Sequence, residues 1–246
     1  MVTKVGTTGN DILNGVNGTD NLIYGDTSGT LSTPNTGGND TITGGANGTN
    51  TIFGDAETLV GAGATGGDDT LIGGVNSTNL LVGDANSTEG APHGGDDILI
   101  GGTGGTNTLI GDYVDRNAGA DGGNDRLVSA ANTTDNMWGD FQFVSGGPPQ
   151  FGQDTFVFGP HNGNDIINDF HQGEDIIEIG SSAAGHVPPH AAGHIPPQAG
   201  GNFPGTFSDL DIEVAGSNSV IHFGPNDSVT VLGVTGLTEN DFHFVV

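Results

Sequence analysis

The chain has 246 residues with 47 glycines and no cysteine, and its 30 acidic side chains face only three lysines and arginines, so the formal net charge is −27. This charge excludes nucleic-acid binding, which depends on lysine and arginine contacts to phosphate, and it argues against docking on anionic membranes. Without cysteine the chain has neither disulfides nor thiolate metal sites. We expect no transmembrane segment, because no apolar run reaches the roughly 18 residues that a membrane span needs.

The N-terminal stretch MVTKVGTTGND lacks the apolar region of a cleavable signal peptide, so we expect any export to use another route.

Two short motifs alternate along the rest of the chain. The first reads G-N/D-D followed by two or three strand-forming residues, as in GDDTLIGG at Asp69, and the second ends in G-D, as in NLLVGD at Asp84. The interval between their aspartates is 15 residues in all five copies, and one unit has 28 or 29 residues. This regularity predicts a solenoid.

Each unit holds two apolar runs that are too short for helices and are flanked by glycine, so both are predicted to be strands. Coils of two strands stack into two parallel sheets that face each other, and the predicted fold class is therefore an all-β parallel β-roll or β-solenoid. A leucine-rich repeat has a similar period, but its L-x-x-L-x-L pattern is missing. The predicted inward columns are Leu13, Ile42, Leu71, Leu99, Leu127 and Phe156, and Ile23, Ile52, Leu81, Leu109 and Met137.

The residues that follow the inward ones form apolar stripes that we predict to point outward. One stripe is Tyr24, Phe53, Val82, Ile110 and Trp138, and the other is Asn14, Thr43, Ile72, Ile100 and Val128. An exposed apolar stripe marks a contact surface, unless the inserts of the long turn or the C-terminal region fold over it. Outward threonines also suggest ice binding, but aliphatic residues interrupt their column.

The repeated aspartates predict metal binding. In stacked coils they form two columns with a spacing of about 4.8 Å, and such close like charges repel strongly. Calcium takes six to eight hard oxygen ligands, and glycine turns bring backbone carbonyls close to such an ion. The neutral amides of Asn21, Asn50, Asn79 and Asn107 can stack without an ion on the short-turn edge. The predicted calcium ligands are Asp26, Asp55, Asp84, Asp112 and Asp140 in one column and Asp40, Asp69, Asp97, Asp125 and Asp154 in the other.

The segments GGDDTLIGG and GGNDTITGG resemble the G-G-x-G-x-D-x-U-x nonapeptide of the RTX family, the hemolysin-type calcium-binding repeats. The resemblance covers about residues 9–159 and implies a β-roll that binds several calcium ions through aspartates and glycine-turn carbonyls. This chain departs from the family pattern because only alternate turns are rich in aspartate and long inserts separate them. The calcium-binding roll is predicted at residues 6–159.

Residues 160–246 are predicted to form a C-terminal β-rich cap. DTFVFGPHNGNDIINDFHQGEDIIEI (154–179) is similar to the segment that closes RTX rolls in secreted proteases, and the chain's end resembles an uncleaved type I secretion signal. The resemblance implies a secreted or cell-surface protein, from a Gram-negative bacterium. The insert at 183–201 brings together His186, His190 and His194, which suggests either a Pro/Gly-rich loop or a transition-metal or pH-sensitive site.

The leading functional expectation is a secreted, calcium-binding, non-enzymatic structural protein that self-assembles with calcium into a surface layer, matrix or filament. The chain has no H-E-x-x-H and no G-x-S-x-G motif, and its three cations are too scattered for a site that binds uronates. The first alternative is an adhesin module that binds polysaccharide or a surface. The second is an accessory roll of a secreted polysaccharide-modifying enzyme.

Overall fold

The structure, a computed structural model, describes residues 1–117, 119–147, 150–180, 204–224 and 226–245. It is a parallel β-solenoid, which confirms the predicted fold class. The histidine-containing insert at 183–201 lies outside the described residues. No helix in the described part of the chain is long and apolar enough to cross a membrane.

The strands of the first motif form sheet 1, in which all neighbours are parallel and in register. Its strands, in spatial order, are β2 (Ile12–Asn14), β5 (Thr41–Thr43), β8 (Thr70–Ile72), β11 (Ile98–Ile100), β14 (Arg126–Val128), β17 (Thr155–Phe158), β19 (Ile176–Gly180) and β23 (Phe242–Val245).

The strands of the second motif form sheet 2, which is parallel except for its last two members. Its strands, in spatial order, are β1 (Val2–Val5), β3 (Asn21–Tyr24), β6 (Thr49–Phe53), β9 (Thr78–Val82), β12 (Thr106–Ile110), β15 (Thr134–Trp138), β18 (Asn164–Ile167), β22 (Asp227–Val231), β21 (Asn218–Gly224) and β20 (Asp211–Ala215). Both sheets continue past residue 159, and the division into a roll at 6–159 and a cap at 160–246 stays a prediction.

The long turn contains a third strand, so the prediction of two strands per coil was wrong on this point. These strands form the parallel sheet 3, consisting of β4 (Thr27–Ser32), β7 (Ala56–Val60), β10 (Ala85–Glu89), β13 (Tyr113–Arg116) and β16 (Phe141–Val144). The buried positions of β10 are Ala85 and Thr88, so this strand has no apolar alternation that the sequence could reveal. Small and polar residues therefore conceal this strand in the sequence.

Two separate apolar cores lie inside the coils that have a third strand. The larger core lies between sheets 1 and 2 and contains both predicted inward columns, with every member after Leu13 fully buried. The smaller core lies inside sheet 3 and is built from Leu31, Ala56, Leu59, Ala64, Ala85, Tyr113, Ala120 and Phe141. The third strand and its return segment therefore form a second lobe of the coil.

The apolar stripe on sheet 2 is not a free surface. Phe53 is 4% exposed and Val82 is fully buried, while Val114 of sheet 3 packs against this cluster. The hydroxyl of Tyr24 donates to Glu57 of sheet 3 at 2.7 Å. Sheet 3 therefore folds against the outer side of sheet 2. The insert of the long turn thus covers the apolar stripe, which is one of the two alternatives that the sequence left open.

The stripe on sheet 1 is also mostly buried. Ile72, Ile100 and Val128 are each 1% exposed and stack on one another with Val157. Only the N-terminal members are open, because Asn14 is exposed and Thr43 is half-buried. Of the two alternatives that the sequence left open, the exposed contact stripe is therefore contradicted for the apolar members on both sheets.

The predicted asparagine ladder is confirmed on the short-turn edge. Asn50 donates to Asn79 at 2.8 Å, Asn79 donates to Asn107 at 2.8 Å, and each amide also bonds the backbone of its own turn. Asn107 donates in turn to Asp135 at 2.5 Å. Each amide is both donor and acceptor, so the column is satisfied without any ion.

Replacing Asn79 by alanine is expected to destabilise the folded protein by about 3 kcal/mol, because two buried donors, the Asn50 amide and the Gly74 N–H, lose their acceptor. Urea unfolding with calcium present measures this change. Asn39→Ala is the matched control, since Asn39 is an exposed asparagine that also bonds the next coil. An equal loss in both variants would contradict the role given to the ladder.

Candidate metal centre

The two aspartate columns lie inside the solenoid, where the chain enters and leaves the second lobe. In the coil of Asp84, the N–H of Gly95 donates to both carboxylate oxygens of Asp84 at 3.3 Å. The segment Gly83–Asp84 therefore lies beside the segment Gly94–Asp97 and separates the two cores. We call this crossing, repeated in every coil, the waist.

All ten predicted ligand residues are in the waist, and all are buried. None exposes more than 3% of its surface, and the members are Asp26, Asp40, Asp55, Asp69, Asp84, Asp97, Asp112, Asp125, Asp140 and Asp154. The sequence placed these residues along the edge of the long turn. The second lobe covers that edge, so the carboxylates are internal.

In the first-motif column one carboxylate oxygen is bonded and the other is not. The N–H of Asp40 donates to Oδ1 of Asp69 at 2.6 Å, and the N–H of Asp69 donates to Oδ1 of Asp97 at 2.7 Å. The buried Oδ2 atoms have no hydrogen-bond partner in Asp40, Asp69, Asp97, Asp125 and Asp154. A buried acceptor without a partner is costly, and a charged one is more so.

The second-motif column is held by glycine N–H groups across the waist. Gly67 donates to Oδ2 of Asp55 at 3.0 Å, and Gly123 donates to Oδ1 of Asp112 at 2.8 Å. Burial, and after it the charge of the neighbouring Asp55, raises the pKa of Asp84 well above its ordinary value. Unpaired buried oxygens remain on Asp55, Asp112 and Asp140.

The glycine before each second-motif aspartate leaves room for oxygen atoms only. A Cβ atom on Gly83 would lie 1.8 Å from the carbonyl oxygen of Gly111 and 2.0 Å from Oδ2 of Asp97. The same pair of oxygens, from the next carbonyl and the unpaired carboxylate, surrounds Gly54 and Gly111. Glycine is therefore required here because the backbone of the next coil approaches so closely.

Burial raises the pKa of the waist aspartates, and neighbouring carboxylates raise it further. The pKa of Asp154 is raised to about 10 by burial and by the charges of Asp140 and Asp175. Burial likewise raises the pKa of Asp140 to about 8 and that of the less enclosed Asp40 to about 7. In the central coils the pKa values of Asp84 and Asp97 are raised well above the ordinary value by the same causes.

The oxygen atoms that line the waist are suited as ligands of a hard cation. No group of three or more histidine, aspartate or glutamate side chains within the described ranges is arranged as a metal site. What each coil offers instead is an unpaired carboxylate oxygen beside a glycine carbonyl, as at Asp97 Oδ2 and Gly111. Calcium accepts mixed carboxylate and carbonyl oxygens, so the residues present fit this ion.

Two further aspartates, which the sequence analysis did not include, extend the columns. Asp169 accepts from the N–H of Gly139 at 2.8 Å, and Asp175 accepts from the N–H of Asp154 at 3.0 Å. Asp169 follows Asp140 by 29 residues, so the repeat interval could have identified it. Asp175 follows Asp154 by only 21 residues, because no third strand lies between Asp169 and Asp175.

Comparison with known proteins adds no relative. No protein-family model matches the chain, and no curated protein matches it either. The functional proposal therefore depends on the fold and on the residues of the waist.

Without metal, the protein is expected to be more stable in acid than at neutral pH. A carboxyl group whose pKa is raised on folding binds its proton more tightly in the folded state, so its stabilisation is complete below the unfolded pKa of about 4. The stabilisation falls as the pH rises through the raised values, about 7 for Asp40, about 8 for Asp140 and about 10 for Asp154. Thermal unfolding of metal-stripped protein between pH 4.5 and pH 9, at constant ionic strength, measures this trend. A midpoint that rises with pH would contradict it.

Proposed function

We propose that this chain is a calcium-binding protein of the RTX type, with several ions held along the waist. The observation that carries the proposal is the set of eight unpaired, buried carboxylate oxygens in the two columns, all of which belong to predicted ligands. Three lysines and arginines cannot neutralise these groups in a chain with a net charge of −27. A divalent cation supplies the missing positive charge and takes the unpaired oxygens as ligands.

Calcium binding of this kind is coupled to folding. The two columns exist only when successive coils stack, so an ion that needs oxygens from neighbouring coils binds the folded state and not the unfolded one. Such binding stabilises the folded chain by mass action. At low calcium the stacked carboxylates repel one another and destabilise the folded chain, whereas at millimolar calcium the same carboxylates favour the stacked state.

This coupling supports a secreted protein, because calcium is scarce in the cytosol and abundant outside the cell. The motifs of residues 154–179 and the resemblance of the chain's end to a type I secretion signal support the same location. We therefore propose that the protein folds after export, at the cell surface or in the extracellular medium.

We propose a structural rather than a catalytic role. The carboxylates of both columns are buried, so none is placed to touch a dissolved substrate. Sheet 3 ends in the strands β4 and β16, and β16 carries Phe143 at 60% and Val144 at 48% exposure. An edge strand with exposed apolar side chains favours pairing with another chain. These features support calcium-dependent self-assembly into a layer, matrix or filament.

Glycan binding is a second candidate, favoured by a cavity near the end of sheet 2. The cavity has a volume of about 520 Å³ and is lined by Asn132, His161, Gly163, Phe223, Gly224, Asn226 and Asp227. Asp227 is held in place by the N–H groups of His161 at 2.8 Å and Gly163 at 3.0 Å. An aromatic ring beside amide and carboxylate groups suits the apolar face and the hydroxyls of a sugar.

The variant Asp97→Asn is expected to have opposite effects on the two forms of the protein. It removes a buried charge, so the metal-free protein becomes more stable, and it removes a calcium ligand, so the affinity for calcium falls by about tenfold or more. Thermal unfolding after chelation and calcium titration by calorimetry measure the two effects. Asp96→Asn is the control, because Asp96 is the adjacent, exposed residue. If Asp97→Asn left calcium affinity unchanged, the waist would not be the calcium site.

Assembly is expected to require both calcium and the edge of sheet 3. Light scattering and electron microscopy should find polymers with calcium that disappear with EGTA. The variant Phe143→Lys should reduce assembly while calcium affinity stays unchanged, because it places a charge on the exposed edge. Val16→Lys is the control, since Val16 is an exposed valine in a turn. A monomer with and without calcium would contradict assembly, and retained affinity of that monomer for glycans would favour the second candidate.

A further inference from the structure

The asparagine ladder of the short-turn edge ends in two buried aspartates. Asp135 pairs in register with Asn107, and Asp165 lies in the next coil along sheet 2. Neither aspartate exposes more than 1% of its surface. Asn107 donates to Oδ1 of Asp135 at 2.5 Å, as each earlier amide donates to the next one, but a carboxylate has no hydrogen to donate in turn. The chain of amide hydrogen bonds therefore stops at a carboxyl group.

The turn beside Asp135 is adapted to this carboxyl group. The amide of Asn107 donates to the carbonyl of Gly102 in its own turn at 3.2 Å. Asp135 offers no such donor, and the hydroxyl of Thr133 donates instead to the corresponding carbonyl, that of Ala130, at 2.6 Å. The N–H of Ala130 and the Thr133 hydroxyl also lie 2.8 Å and 3.1 Å from Oδ2 of Asp135. The loss of the amide is therefore compensated, and the carboxyl group belongs to the design of this turn.

Asp165 joins β18 to β15 through its side chain. Its Oδ1 accepts from the N–H of Asp135 at 2.9 Å, and its Oδ2 accepts from the Ser129 hydroxyl at 2.8 Å and from the Asn162 amide at 2.7 Å. We call the boundary between β15 and β18 the seam. These two strands pair in register at two positions, whereas β15 and β12 pair at five. The side chain of Asp165 is therefore an important part of the contact across the seam.

The two carboxyl groups face neutral donors and each other. Their six hydrogen-bond donors are the side chains of Asn107, Ser129, Thr133 and Asn162 and the N–H groups of Ala130 and Asp135. On the neighbouring strand β22, the residue paired with Asp165 is Val229. Asp227 of the same strand is bonded to the N–H groups of His161 and Gly163, and His161 is exposed. None of these contacts, within the described residues, supplies a positive charge, so two ionised carboxylates in adjacent coils repel one another.

A proton removes this repulsion and also completes the hydrogen bonding. Burial, and after it the charge of Asp135, raises the pKa of Asp165 to about 8. Burial raises the pKa of Asp135 to about 6, and the hydrogen bonds from Asn107 and Ala130 oppose this rise. The buried Oδ1 of Asn162 has no partner. A protonated Asp165 supplies one, because the Asn162 amide can turn over and accept a hydrogen bond from Oδ2 of Asp165.

We propose that Asp135 and Asp165 are a proton-binding pair that locks the seam. With one proton bound, the hydrogen bonds of Asp165 hold β15 and β18 together. Release of that proton to alkaline solvent leaves two buried charges in adjacent coils and loosens the seam. The pair lies on the opposite edge of the larger core from the waist, so this lock is separate from the proposed calcium sites and goes beyond them.

The variant Asp165→Asn tests the lock, because it keeps the size of the side chain and cannot ionise. A carboxyl group whose pKa is raised on folding stabilises the fold fully below its unfolded pKa of about 4, and this stabilisation is lost as the pH rises to about 8. At constant calcium and ionic strength, the unfolding midpoint of the variant minus that of the parent is therefore expected to increase by about 5 °C or more between pH 5 and pH 8 and then to level off. Asp20→Asn is the control with a difference that does not vary with pH, since Asp20 is exposed and also bonds the next coil. A pH-independent difference for Asp165→Asn would overturn the proposal.

Two measurements on the folded protein complete the test. NMR titration of the aspartate carboxyl carbons should show a group that titrates near pH 8 in the parent and is missing in Asp165→Asn. Hydrogen exchange of Ile166 and Ile167 in β18 should be faster in the parent than in the variant at pH 9, and equal in the two at pH 5.5. Identical titration curves, equal exchange at pH 9, or loss of a bound calcium ion in Asp165→Asn would each contradict the lock. Failure of the parent to bind calcium would refute the proposed calcium function alone.

Discussion

Repulsion between buried carboxylates, stacked one above another in two columns, is the constraint on which the structure depends. At a spacing of about 4.8 Å and an effective dielectric constant of about 20, each neighbouring pair costs about 3 kcal/mol. Summed over the four neighbouring pairs of each column, this exceeds the whole stability of an ordinary domain. The stacked fold therefore requires protons or cations in the waist.

The asparagine ladder on the opposite edge of the larger core shows why the chemical group matters. Asn50, Asn79 and Asn107 stack with the same period as the aspartates, yet each amide donates to the next and the column is satisfied. A carboxylate has acceptors only, so a stack of carboxylates leaves oxygens unpaired, as at Asp69 and Asp97. The asparagine edge of the coil is thus satisfied by its own hydrogen bonds, whereas the aspartate columns need a proton or a cation from outside the chain.

Glycine determines how closely the chain can pass itself at the waist. Gly83 and Gly94 lie where a Cβ atom would overlap a carboxylate oxygen. The absence of a side chain at these positions is what allows the backbone to approach the aspartates so closely. The abundance of glycine follows from this geometry rather than from flexibility. The second lobe adds enclosure, because it covers the carboxylates that would otherwise face solvent and so strengthens their interaction with one another and with any cation.

The sequence by itself determined the solenoid, its period, the two inward columns and the alignment of the ten aspartates. These features depend on local spacing, and the constant interval from Asp69 to Asp84 and from Asp97 to Asp112 survives any detail of the turns. Asp169 could have been included on the same ground, since it keeps the interval from Asp140.

Only the tertiary structure decided that the aspartates are internal, that five successive coils have a third strand, and that the apolar stripe of Phe53 and Val82 is covered. The third strand packs through Ala85 and Thr88, whose small size conceals them from any hydrophobic pattern. Burial of Asp84 and of Tyr113 follows from how the long turn folds back, which depends on contacts between segments and not on spacing along the chain. Stacking period is a local property of a repeat, whereas the inside and outside of a lobe are defined only once the chain closes on itself.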